Sequence, residues 1–199
     1  MTELQARWLD TLQQVIDRAA HEVKDALNGV ALNVEVVRSR SGKPDMAVAG
    51  VAPFAAAASD QLETLGRRVE ALLFLVRPAR TPVDVGVTLR HLGELLVPAA
   101  KADGGHLEVV QQRTGATTRA DATATRLALA TLLLANSGSG RRGKAVLEGS
   151  DTTDAVVRFS HESAGTCSFD PAIAALVAGE GIRSDRSASD LLLVFPGNS

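Results

Sequence analysis

The chain has 199 residues, 45% of them hydrophobic, enough for one packed domain or two small ones. A net charge of −2 and an aromatic share of 3% without tyrosine supply neither the basic surface nor the stacking platforms of a nucleic-acid binder. The single Cys167 cannot close an internal disulfide, and no uncharged apolar run reaches the roughly 20 residues of a membrane helix, so a cytoplasmic protein with no membrane partner is expected.

The first predicted element is one long helix over residues 3–40. Leu12, Ile16, Ala19, Val23, Ala26, Val30, Val34 and Val37 follow one another at steps of four and three, a heptad seam. Ser39 to Pro53 holds Gly42, Pro44, Gly50 and Pro53 and reads as a loop. A second helix is predicted from Phe54 to Val76, with Ala58, Leu62, Leu65, Val69, Leu72 and Val76 as its seam. Two seamed helices joined by a modest loop give a long antiparallel hairpin. The apolar surface left over predicts that two chains pair into a four-helix bundle, a homodimer.

Residues 78–82 read as a linker, which divides the chain into a hairpin over 1–80 and a second domain over 81–199. A helix is predicted over 84–102, ending at Gly104-Gly105, and a short strand over 107–110. Asp121 is a candidate N-cap for a helix over 122–136. Residues 145–148 and 155–160 flank the turn Asp151-Thr152-Thr153-Asp154 as a hairpin, followed by a helix over 171–177 and a strand over 191–195. Helices mixed with mostly antiparallel strands predict a two-layer α/β sandwich, so the whole chain is α+β.

The candidate chemistry lies in the first helix. His21, Lys24, Asp25 and Asn28 stand at i, i+3, i+4 and i+7, one polar stripe away from the Ala19–Val23–Ala26 seam. A neutral imidazole is a good nucleophile near neutral pH, and a carboxylate can orient its second ring nitrogen. The run His21-Glu22-Val23-Lys24-Asp25-Ala26-Leu27-Asn28 resembles the H-box of sensor histidine kinases, and the order of elements is similar to a histidine kinase core over nearly the whole chain. The resemblance implies a dimerisation and phosphotransfer hairpin followed by an ATPase-like domain. It assigns His21 as phosphoacceptor and Glu22 as the carboxylate that works with it. Lys24 would steady phosphate oxygens, and Asp25 and Asn28 would touch the partner. Ala26 and Asp25 depart from the proline and the asparagine or threonine usual there, which implies a straighter helix and argues against phosphatase action.

The ATP motifs of that family are lost or displaced. Its Asn-Leu-Leu-x-Asn-Ala aligns with Thr131-Leu132-Leu133-Leu134-Ala135-Asn136, so both asparagine positions hold other residues. Asn136 is off by one place, about 100° around a helix. The Asp-x-Gly-x-Gly place after Phe159 reads His161-Glu162-Ser163-Ala164-Gly165, and Gly179-Glu180-Gly181-Ile182 is what remains of a second glycine motif. The implied function is a histidine phosphotransferase: His21 relays a phosphoryl group between receiver aspartates of response regulators, binds no ATP, and needs no cofactor because the receiver supplies magnesium. The alternative is a non-catalytic, kinase-like adaptor that binds and regulates a signalling partner.

Two other patterns are decoys. Gly138-Ser139-Gly140-Arg141-Arg142-Gly143-Lys144 fits Gly-x4-Gly-Lys, but Ala145 replaces the Ser/Thr ligand and the helix-then-strand order is reversed, so it reads as a basic loop. His21-Glu22-Val23-Lys24-Asp25 lacks the second histidine of a zinc helix. Ser160-His161-Glu162 is no catalytic set, because adjacent strand residues face opposite ways. His91 and His106 read as structural, and Cys167 has no basic neighbour to activate it.

Overall fold

The computed structural model describes residues 1–42, 50–78, 81–138, 140–148, 153–161, 167–187 and 189–197. It begins with a helical hairpin of α1 (Glu3–Ser41) and α2 (Ala52–Val76). Thr2 starts α1 with a reciprocal cap: its hydroxyl accepts from the Gln5 amide, and the Gln5 side chain accepts from the Thr2 amide. At the far end Arg40 donates to the Gly50 carbonyl at 2.9 Å and stacks over the Phe54 ring. Pro53, expected in the loop, instead sits in the first turn of α2, where the missing N–H has no helical partner to lose. The antiparallel register is pinned by Asn33 donating to Gln61 at 3.1 Å and Arg68 donating to the Glu22 carbonyl at 2.9 Å.

The expected seams need correcting. On α1, Leu12 and Ala19 are buried, but Ile16 and Val34 are exposed and Val15, outside the expected seam, is fully buried. On α2 the buried set is Ala58, Ala71 and Leu75, while Leu62, Val69 and Val76 face solvent. Each helix has turned part of its apolar stripe outward, because its inner face also meets the second half of the chain.

That second half is the expected two-layer α/β arrangement. It comprises β1 (Val83–Asp84), α3 (Val85–Ala102), β2 (His106–Gln111), β3 (Thr117–Thr118), α4 (Ala122–Asn136), β4 (Arg142–Leu147), β5 (Ala155–His161), α5 (Pro171–Ala178), β6 (Arg183–Arg186) and β7 (Asp190–Phe195). The main sheet has five strands in the order β2-β4-β5-β7-β6, with β2 and β4 parallel and the other neighbours antiparallel. β1 and β3 form a separate antiparallel pair. Asp84 and Asp121 cap α3 and α4 by accepting from backbone amides of their first turns. β6 was not expected, since its four exposed residues carry no alternation of apolar and polar side chains. The basic loop is also shorter than expected: Arg142, Gly143 and Lys144 lie in β4, and Ser139 is outside the described residues. The turn expected at 151–154 falls partly outside the described residues as well.

One hydrophobic core runs through both halves. Trp8, Leu12, Val15 and Ala19 of α1 and Ala71 and Leu75 of α2 join Leu89, Leu92, Leu96, Leu127 and Phe159 in a single cluster. The hairpin therefore lies against the sandwich along its base. Arg126 of α4 locks this contact, donating to the carbonyls of Phe74, Leu75 and Arg77 at the end of α2 at 2.8–3.1 Å. A cation at a helix C-terminus satisfies orphan carbonyls and complements the helix dipole. Burial pushes the Arg126 pKa down from its usual value, and its guanidinium lies 5.1 Å from the centre of the Phe74 ring.

Candidate functional site

His21 falls where α1 leaves the base of the molecule. Upstream, Val15 and Ala19 are buried; downstream, from Ala26 to Val37, every residue of α1 keeps some exposure. The His21 side chain is 73% exposed, and its Nε2 lies 3.4 Å from Oδ2 of Asp25, one turn on. Lys24 and Asn28 are exposed on the same stripe. Glu22 points elsewhere: it is largely buried toward α2, its carboxylate 4.0 Å from Arg68, while Arg68 also holds its backbone carbonyl. The expected site residues thus divide into an outer group of His21, Lys24, Asp25 and Asn28, and an inner Glu22.

One flank of His21 has a wall. A shallow cavity of about 190 Å³ is lined by Asp17, Arg18, His21 and Glu22 on one side and by Ala99, Ala102 and Asp103 at the end of α3 on the other. On the neighbouring helix, Arg67 bridges Glu63 and Glu94, tying α2 to α3.

The positions that the kinase resemblance gives to nucleotide look different. Thr131 and Ala135 line a cavity of about 380 Å³ whose opposite wall is α1, through Arg7, Asp10, Thr11, Gln14 and Arg18. Asn136 is completely buried: its amide donates to the Leu132 and Ser168 carbonyls and accepts from the Ser168 amide at 2.7–2.8 Å. Its oxygen also lies 3.3 Å from Nε2 of His161. It works as a strut between α4 and the segment before α5. The motif place over 162–165 lies outside the described residues. Gly179–Ile182 is a turn that ends α5, with Gly181 at φ +83° and Ile182 fully buried.

Solved structures supply the outside comparison. The histidine kinase AdeS of Acinetobacter baumannii is 13% identical, with a TM-score of 0.48 over 90% of this chain and 98% of that one. The catalytic domain of histidine kinase ThkA is 15% identical, with a TM-score of 0.48 over 59% of this chain and 96% of that one. The histidine kinase domain of the blue-light activated histidine kinase of Erythrobacter litoralis EL346 is 15% identical, with a TM-score of 0.43 over 84% of this chain and 94% of that one. The likeness is one of fold. No family model and no curated protein matches the chain.

The remaining candidates are structural. Burial lowers the His91 pKa, Arg90 lowers it further, and Glu70 and Glu94 partly offset this; its ring packs on Phe74 at 4.3 Å between centroids. Burial raises the Cys167 pKa, which keeps the thiol protonated and inert. Among the described residues no group of His, Cys, Asp and Glu could hold a metal, and no helix is long and apolar enough to cross a membrane. Sequence reasoning missed Arg68, Arg126 and Asp103.

Proposed function

We propose that the chain is a histidine phosphotransferase in a two-component relay, acting as a homodimer through His21 and without ATP. The observation that carries this reading is the placement of His21: an exposed imidazole beside a carboxylate, on the outer face of a helix whose other exposed stripe is apolar. Ile16, Leu27 and Val34 make that apolar stripe and are exposed, as are Leu62, Val69, Leu73 and Val76 on α2. At 100° per residue His21 stands about 140° from Ile16, so two hairpins joined along the apolar stripe leave the imidazole outside the bundle. The partner is a response-regulator receiver domain. A ring nitrogen of His21 attacks the phosphorus of the receiver's acyl phosphate; the N–P bond forms, the P–O bond breaks, and the receiver aspartate leaves as carboxylate. A second receiver aspartate then takes the phosphoryl group. Lys24 and Asn28 flank the ring and meet the receiver. ATP independence is supported by α1 facing Thr131 and Ala135 and by the committed amide of Asn136.

The adaptor reading draws on the wall of α3 beside His21, which narrows the approach from that side. Incubation with a labelled phosphoreceiver separates the two. Label on the protein that disappears in His21→Ala supports transfer; stable binding with no label supports the adaptor. A thermal shift with magnesium and ATP would overturn ATP independence, because a ligand bound by the native state raises apparent stability.

A further inference from the structure

We propose that the free edge of β2 and the groove beside it form a docking site for an extended, acidic peptide segment of a partner protein. The main sheet ends in β6 on one side and in β2 on the other. β6 is a guarded edge: Arg183, Ser184, Asp185 and Arg186 are all exposed, and charges along an edge discourage further strand pairing. β2 lacks that guard. Among the described residues it pairs with β4 alone, in parallel, and the His106 and Gln112 amides both donate toward that neighbour, to the Arg141 and Leu147 carbonyls. Alternation along the strand then turns the N–H and C=O groups of Leu107, Val109 and Gln111 outward, where no described strand meets them.

The same three residues carry their side chains toward α3. Val109 lies so close to Gly93 that a Cβ on the glycine would stand 3.3 Å from its Cγ2, and the Gln111 side chain donates to the Gly86 carbonyl. Between helix and strand runs a groove of about 560 Å³, with Val97, Pro98, Leu107 and Val109 as its apolar lining. A strand added along β2 would find backbone partners on the edge and apolar cover for every second side chain. Those are the two contacts by which strand addition gains affinity and selectivity. Charge selects the kind of segment. Of the charged side chains lining the groove, Glu94 lies 3.7 Å from Arg67 and Glu108 lies 3.1 Å from Lys144. Arg90 is exposed and has no ion-pair partner among the described residues. The charge left for an incoming segment to answer is positive, so its complement is a carboxylate.

Acetylated, amidated heptapeptides that alternate valine and threonine, with glutamate or lysine at both ends, are the probes. Backbone hydrogen exchange followed by NMR reads the contact. The glutamate peptide should slow exchange of the Leu107, Val109 and Gln111 amides and leave β6 unchanged. It should bind at least about threefold tighter than the lysine peptide, and Arg90→Glu, a change on the surface, should reverse that order. N-methylation of the alternate peptide residues whose amides face β2 should weaken binding about tenfold or more while leaving the protein itself untouched. The proposal is overturned if neither peptide, at millimolar concentration, slows those three amides, or if protection appears on β6. Equal binding of the two peptides overturns the acidic specificity and the proposal with it. Slower exchange at those amides on raising the protein concentration alone overturns it too, because the edge then pairs with a second copy of the chain.

Discussion

The two halves of α1 both carry apolar side chains and end in different environments. Trp8, Leu12, Val15 and Ala19 are closed off by α3, α4 and the end of α2, at 8% exposure or less. In the other half Leu27, Leu32 and Val34 stand 49–67% exposed. A heptad seam therefore marks apolar surface without saying which neighbour will cover it. His21 lies at the change from one regime to the other, where a helix is held firmly at its base and open along its outer face.

The contrast can be broken most forcefully in the core. Leu75→Ala removes a fully buried side chain and should cost about 2–5 kcal/mol in a urea titration, whereas Leu27→Ala should cost less than about 1 kcal/mol in the monomer. An equal loss at both positions would mean that the open half is covered in solution. Arg126→Ala comes next, at about 1–3 kcal/mol, since it removes three hydrogen bonds that close the end of α2, the one to the Leu75 carbonyl being buried. Replacing Leu27 and Leu62 together by Glu tests the apolar stripe directly. Light scattering should show a dimer for the parent and a monomer for the double variant, with helical content retained; a monomeric parent would dismiss the bundle.

The pH effect is smaller. Folding favours the neutral form of His91, so its contribution is complete above the unfolded value near 6.5 and declines as pH falls through the lower folded value. Thermal stability should drop on acidification below about pH 6.5, and His91→Phe, which keeps a ring on Phe74, should flatten that drop. A slope unchanged by the substitution would assign the effect to other groups.

Much of the fold was readable because periodicity and capping are local properties. The helix over 122–136 is an example: Asp121 and its apolar face specify it without reference to anything distant. The face of each hairpin helix was not readable, because Ile16 and Leu62 are as apolar as Val15 and Leu75, and their fate depends on α3 and α4. Gly143 misled for a similar reason. In a run with Gly138 and Gly140 it suggests a loop, yet a Cβ there would collide with the Phe159 ring, so the glycine serves close packing between strands. At the site, the i to i+4 spacing of His21 and Asp25 was visible from the start. The withdrawal of Glu22 was not, because it depends on Arg68, which lies 46 positions away along the chain.

Arg68 has a mechanical consequence. Its hydrogen bond to the Glu22 carbonyl and the Asn33–Gln61 bond act like two pegs between the helices, fixing their relative height. Sliding α2 by one turn, about 5.4 Å, would pull both out of their sockets. Forces applied at the tip of the hairpin would therefore travel down the rod as a whole, and the imidazole would keep the same elevation above the sandwich.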